Sequence, residues 1–303
     1  MLFDTSAVTT HVLENSLLAQ KQVKLSILRL DKVHPVVSGN KLFKLHFFLK
    51  EALTTTHKTM LSFGGPYSNH LAATAYACKA AGLKSIGIIR GEEPKIISHT
   101  LQQIINYGMR LKFISREEFD WKERKALSQS LQNEFGECLI VPEGGYHPLG
   151  AKGASLIMNL ITVKEYSHIC TAVGSATTLA GLLMAAKKEQ KFIGIPSLKG
   201  MVDTGERINF LTGLHTNARD LLLLDEFHFG GYAKKTPALI QFMNDCWHQF
   251  QLPLDFVYTA KMLYAVIESV KAGIFSPGSS IICLHTGGLQ GNKSLPAGSL
   301  LFT

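Results

Sequence analysis

Charged residues are scarce in this chain: Asp, Glu, Lys and Arg make up 18% of its 303 residues, against 46% hydrophobic side chains. So lean a charge content excludes a disordered tether, and the length is enough to bury a large core. Cysteines are few as well, and the five present, Cys78, Cys138, Cys170, Cys246 and Cys283, are widely spaced with no CxxC pair. That excludes a disulfide framework and a zinc site, and reads them as small core residues. No run of about 18 uncharged apolar residues occurs, and Met1 to Ser16 lack a positive segment followed by an apolar one. The chain is therefore read as soluble and cytoplasmic, with no membrane partner. Basic residues are in surplus, 31 Lys and Arg against 23 Asp and Glu, for a net charge of +8, but clusters of them are missing. The longest basic runs are pairs such as Lys187-Lys188 and Lys234-Lys235. A nucleic-acid interface needs basic residues gathered on one element, so no nucleic-acid partner is expected and the surplus is read as surface charge.

What is present is a succession of short apolar runs: 59–65 (TMLSFGG), 84–91 (KSIGIIRG), 110–115 (RLKFIS), 138–145 (CLIVPEGG), 168–175 (HICTAVGS), 191–198 (KFIGIPSL) and 279–288 (SSIICLHTGG). They lack strict polar alternation, as fits strands covered on both faces, and several stop at glycine. Segments of helical length and period lie between them, among them the Ala-rich 69–81 and 117–135. Repeated βα units predict an α/β chain with a mainly parallel, doubly wound sheet and ligands at the C-terminal strand ends. No low-complexity tract or Pro/Gly/Ser linker marks a boundary, so any second domain must be an insertion.

Polar clusters sit at several of these ends. The run Gly174-Ser175-Ala176-Thr177-Thr178-Leu179-Ala180-Gly181 opens an apolar helix. Small residues and hydroxyls at a helix start offer a phosphate close backbone approach, free N–H donors and the positive end of the helix dipole. The run is neither GxxxxGKS/T nor GxGxxG, which favours a small phosphate monoester over a nucleotide; a tight βα turn with an N-cap reads the stretch equally well. In 38–44, Ser-Gly-Asn-Lys-Leu-Phe-Lys, Lys41 stands at a helix start, where a cation opposes the dipole and is better placed for chemistry than for helix stability, with an ordinary solvated lysine as the alternative. In 64–70, Gly-Gly-Pro-Tyr-Ser-Asn-His, a hydroxyl, an amide and an imidazole open a helix, with an N-cap by Ser68 or Asn69 and a packed His70 as the alternative.

Asn40-Lys41 with Lys44-Leu45, Gly64-Gly65 with Ser68-Asn69-His70, the loop at 174–178, Tyr258-Thr259, and His285-Thr286-Gly287-Gly288 follow one another in this order. Over roughly residues 29–290 the chain thereby resembles the pyridoxal-phosphate enzymes of the 1-aminocyclopropane-1-carboxylate (ACC) deaminase and D-cysteine desulfhydrase family. The resemblance implies the fold type II, tryptophan-synthase-β-like architecture. In it, a smaller α/β domain, residues 45–147, is inserted in a larger one, residues 1–44 and 148–303, both doubly wound, with the cofactor between them. It implies that Lys41 forms the imine with pyridoxal 5′-phosphate and moves protons once freed. Gly174, Ser175, Ala176, Thr177 and Thr178 would hold the phosphate, and Asn69 would lie beside the pyridine ring. Ser68 would meet the substrate carboxylate or act as an acid/base group, and Tyr232 and Tyr258 match the family's active-site tyrosines. Thr259 and Thr286 would line the cofactor. A small amino-acid substrate and a homodimer follow by the same analogy.

Within the resemblance, position 259 separates two activities. ACC deaminases typically carry Glu there and Leu at the position of Thr286, whereas D-cysteine desulfhydrases carry threonine at both. A carboxylate facing the ring nitrogen strengthens the electron sink, and a hydroxyl leaves it weaker. The two threonines favour α,β-elimination, in which the α-proton is removed, thiol or sulfide leaves, and pyruvate and ammonia result. Ring-opening deamination of ACC is the less favoured assignment; a racemase, a dehydratase and a noncatalytic binding protein of the same fold are further alternatives. Three positions depart from the family's pattern: Phe43 for its arginine, His46 for its glutamate, and Tyr67 for its glutamine. Tyr67 sets a bulky ring beside the expected carboxylate subsite.

Overall fold

In the computed structural model, which describes residues 4–55, 58–162, 165–187, 190–213 and 221–302, the apolar runs become strands. The strands are β1 (Thr10–Leu13), β2 (Lys24–Leu28), β3 (Thr59–Gly64), β4 (Lys84–Arg90), β5 (Met109–Ile114), β6 (Leu139–Val141), β7 (His168–Val173), β8 (Lys191–Pro196), β9 (Leu221–Leu223) and β10 (Ser280–Leu284). They form a six-stranded sheet in the order β1-β2-β10-β7-β8-β9 and a four-stranded sheet in the order β5-β4-β3-β6. Every pairing is parallel except that of β1 with β2.

Side chains alternate across a strand, and both faces of the larger sheet are covered. Ile169 and Val173 of β7, with Ile282 and Leu284 of β10, join one apolar cluster with the helices Lys41–Thr54, Pro148–Ser155 and Thr177–Met184. Cys170 and Ala172, with Ile281 and Cys283, join another with Pro237–Phe250 and Thr259–Lys271. The helix after β7 therefore lies on one face and the helix before β10 on the other, although these strands are neighbours. Such a reversal opens a crevice at the C-terminal strand ends, the usual ligand position in a parallel sheet. Gly174 follows β7 and Thr286 follows β10, so both stand at that crevice.

The expected boundary between residues 44 and 45 falls inside the Lys41–Thr54 helix. One apolar cluster runs from Met60 and Val141 of the small sheet, through this helix, to Val173 of the large one. Glycines set the helix spacing: a Cβ on Gly153 would lie 2.1 Å from the Phe43 carbonyl oxygen, and one on Gly181 2.4 Å from that of Ala151. Larger residues there would push apart the helices that begin at Lys41 and Thr177.

The structure also departs from the pattern. The run 138–145 yields only three strand residues, because Pro142 lacks an N–H for the ladder and Gly144 and Gly145 turn left-handed (φ 64° and 71°). The helical stretch 117–135 is two helices, Arg116–Asp120 and Lys125–Phe135, restarted at an extended Arg124 (φ −78°, ψ 134°). All five cysteines are free and buried, and among the described residues no helix is long and apolar enough to cross a membrane.

Candidate active site

Lys41 opens its helix with no acidic residue in the first turn, and the segment before it is pressed against the loop after β10. Gly39 is left-handed (φ +74°), and a Cβ there would lie 1.9 Å from the Thr286 carbonyl oxygen, so no other residue fits. The same carbonyl accepts from the Asn40 N–H at 3.4 Å and lies 3.5 Å from Lys41 Nζ. Asn40 Nδ2 donates to Thr178 Oγ1 at 2.6 Å, tying the start of the lysine helix to the start of the Thr177 helix. Burial pushes the Lys41 pKa down to about 8 against the pull of Asp255. A sizeable neutral fraction at working pH is what a nucleophilic or proton-moving amine needs.

The Thr177 helix start is left open. No side chain caps it; Ala176, the N-cap, is a non-glycine residue at φ +60°. The first-turn N–H groups have no acceptor within the helix, and such strain is retained where a site depends on it. Ser175 Oγ and Thr177 Oγ1 are 2.9 Å apart beside them. A Cβ on Gly174 would come within 3.1 Å of the Tyr258 ring, so the tyrosine packs on bare backbone.

This cradle contains no cation of its own, but Lys44 supplies one. It is buried, and its Nζ donates to the Gly144 carbonyl at 3.1 Å, while a Cβ on Gly144 would lie 3.1 Å from Ser175 Oγ. Burial, and then the charge of Lys41, push the Lys44 pKa down to about 7. A phosphate dianion here would restore it. Sequence reasoning quoted Lys44 but gave it no role; the missed signal was its place three residues after Lys41, on the same helix face.

Across the crevice, Ser68 caps the Asn69–Ala80 helix, its Oγ accepting from the Leu71 N–H at 3.2 Å. Its hydroxyl proton is still free to act. Asn69 Oδ1 is buried with no partner, as is Asn40 Oδ1. His70 packs in the core: Ser62 Oγ donates to the Val141 carbonyl at 2.8 Å and accepts from His70 Nε2 at 3.0 Å. Burial, then Lys44 and Lys41, push the His70 pKa down to about 3, so it stays neutral. Phe43 is a core residue, fully buried. Tyr67 is 52% exposed, its ring 5.7 Å from that of His99 at the rim of the crevice.

The remaining wall begins at Asp255, another residue the sequence reading passed over. Its carboxylate is fully buried and accepts from the N–H groups of Val257, Tyr258 and Thr259 at 2.9–3.0 Å and from Thr259 Oγ1 at 2.7 Å. Thr259 Oγ1 in turn accepts from the Asp255 N–H at 2.8 Å. The Thr259 hydroxyl is thus held on Asp255 and keeps one lone pair. An Asp four residues before a Thr at a helix start is the local capping pattern that could have revealed this. Tyr258 stands at that start, its ring 5.7 Å from Lys41 Nζ and 6.1 Å, edge to face, from the ring of Tyr232. Burial, aided by Tyr232 and Asp255, raises the Tyr258 pKa well above the ordinary phenol value, so it stays a proton donor. Among the described residues no cluster of three or more His, Cys, Asp or Glu could hold a metal.

The site therefore gathers one buried and one half-buried amine, an uncapped helix start, two unpaired amide oxygens and two phenols. That donor set fits a small phosphorylated aldehyde: amines for its carbonyl, N–H groups and a cation for its phosphate. Comparison with known proteins agrees. Residues 7–287 match the family described as pyridoxal-phosphate dependent enzyme. The chain is similar to the mitochondrial bifunctional D-cysteine desulfhydrase/1-aminocyclopropane-1-carboxylate deaminase of Arabidopsis thaliana, 29% identical over 293 residues, or 88% of this chain and 73% of that protein. It is 24% identical over 282 residues to the D-cysteine desulfhydrase of Salmonella typhi, covering 85% of each. Among solved structures, an ACC deaminase homologue superposes with a TM-score of 0.79 at 25% identity, over 94% of this chain and 90% of that one.

Proposed function

The chain belongs to the pyridoxal-phosphate-dependent enzymes, with their fold type II, tryptophan-synthase-β-like architecture, and on that footing we propose that it is a lyase eliminating a β-substituent from a small amino acid, D-cysteine first among them. The observation that carries the choice is Thr259, a hydroxyl bound to Asp255, where a ring-opening deaminase typically places a carboxylate. The N–H groups and hydroxyls of 174–178, together with Lys44, would hold the cofactor's phosphate, and Asn69, Thr259 and Thr286 would line its ring. The cofactor supplies an electron sink for negative charge at the substrate α-carbon.

The rest falls to the protein. Lys41, partly neutral at its lowered pKa, anchors the cofactor and, as a free amine, takes the α-proton. Tyr258, 5.7 Å from Lys41 and kept protonated by burial, gives a proton to the departing sulfur, with Tyr232 behind it to resupply the phenol. The free Ser68 hydroxyl and the adjoining helix start receive the substrate carboxylate. The rings of Tyr67 and His99 form the outer wall on that side. The same reading makes the protein cytoplasmic, supported by five unpaired buried cysteines, a homodimer by family analogy, and without a nucleic-acid partner, supported by its scattered basic residues. It also divides the chain into an inserted domain at 45–147 and a larger one around it, supported by the two sheets.

Incubation with D-cysteine, L-cysteine, β-chloroalanine, serine and ACC tests the assignment. Pyruvate with ammonia and sulfide from D-cysteine is expected; four-carbon 2-oxo acid from ACC without turnover of D-cysteine would give the site to ring opening.

A further inference from the structure

Lys261 takes part in none of these steps, yet its side chain is fully buried. Its Nζ donates to the Gly231 carbonyl at 2.7 Å and lies 3.5 Å from the Ser197 carbonyl. Among the described residues it forms no ion pair. Burial pushes its pKa down to about 8, with Asp255 pulling the other way. An ammonium buried without a carboxylate is costly, and a methionine would fill the same space with no desolvation penalty. Its contacts explain why it is there.

Gly231 lies in a strained turn: Phe229, Gly230, Gly231 and Ala233 have φ of 51°, 92°, 115° and 53°. Two side-chain-bearing residues in the left-handed region persist only where the surroundings hold them. The bonds inside the turn are local, from the Gly231 N–H to His228 O, from the Gly230 N–H to His228 Nδ1 and from the Lys234 N–H to Gly231 O. Lys261 adds one from a different element, the helix that begins at Tyr258 and Thr259. Tyr232 follows directly and meets Tyr258 edge to face. One helix start therefore fixes Tyr258 by the chain itself and reaches Tyr232 through an ammonium–carbonyl bond.

We infer that Lys261 is a positioning residue: its bond to the Gly231 carbonyl locks the 229–233 turn and so sets Tyr232 against Tyr258 in the reaction crevice. The inference rests on the reading of the two phenols as proton-transfer groups, and the test separates the two ideas. Lys234 and Lys235, exposed beside the turn, offer trypsin a cleavage site that reports on its order whatever the chemistry. In the full-length, cofactor-loaded protein, Lys261→Met is expected to speed this cleavage by about tenfold while the melting transition stays cooperative. Turnover should fall by the factor seen for Tyr232→Phe, to within about twofold, and the double variant should be no worse than either single one. Lys261→Gln, which keeps an N–H donor, should fall between Met and wild type in both readouts and serves if the Met variant does not fold. Wild-type cleavage in the folded Met or Gln variant, or additive losses in the double variant, would overturn the inference. Faster cleavage with a silent Tyr232→Phe would instead retire the role given to Tyr232 and leave the positioning bond standing.

Discussion

Two helix starts contribute to the candidate site, each following the C-terminal end of a parallel strand, and they are finished differently. At Asn69 the Ser68 side chain accepts from the Leu71 N–H, a closed cap. At Thr177 the cap position holds Ala176, whose methyl accepts nothing and whose φ of +60° is unfavourable for it. The second start gives up local stability and leaves its donors unused, as the proposed phosphate site requires. What distinguishes the proposed phosphate cradle from an ordinary βα turn is therefore the missing cap, with a cation, Lys44, on a neighbouring helix.

Closing the open start is the strongest way to break this contrast. Ala176→Asp puts in a residue that tolerates the left-handed region and carries a capping carboxylate. Cofactor affinity should fall roughly 100-fold, about 3 kcal/mol, from lost charge-assisted bonds and like-charge repulsion. Titration of the cofactor-free protein measures it, and unchanged affinity would move the phosphate elsewhere. A smaller loss, about tenfold, is expected for Lys44→Met, together with a change in pH dependence. In the cofactor-free folded chain Lys44 releases its proton at about 7, far below the ordinary lysine value of 10.5. Between those values the unfolded chain holds a proton that the folded chain has lost, so stability rises with pH across that window and is penalised below it. Removing the lysine should flatten the rise by roughly 1.4 kcal/mol per pH unit, read from denaturation midpoints, and an unaltered slope would contradict a buried Lys44. Smallest is Ser68→Ala at the closed start, where about 1 kcal/mol of stability should go with the cap while cofactor affinity drops far less than in Ala176→Asp. An equal loss of affinity would erase the difference between the two starts.

The seven strands β3 to β8 and β10 were legible because each is a continuous apolar run, several of them ended by glycine, the pattern of a sheet buried on both faces. β1, β2 and β9 were not: β1 and β9 are short and only partly buried, and the buried β2 is only five residues long with Lys24 and Ser26 interrupting its apolar run. At the site, glycines, hydroxyls and the lysine at a helix start stood out, since each is out of place by local propensity. Asp255, Lys44 and Lys261 did not, because a charge in one sequence looks the same whether solvated or buried. Their roles come from tertiary packing, which encloses three charged side chains at a crevice whose composition gave only a diffuse surplus of +8. Position 259 was weighed as a hydroxyl alone, yet its bond to Asp255 means that Thr259→Glu would set two carboxylates together in a fully buried space.

The central claim, one pyridoxal phosphate held on Lys41, is tested most directly by borohydride reduction of the cofactor-loaded protein followed by peptide mass mapping. The expected product is a single pyridoxyl group on Lys41, absent from Lys41→Ala; a group found on Lys44 or Lys261 instead, or none at all, would contradict it.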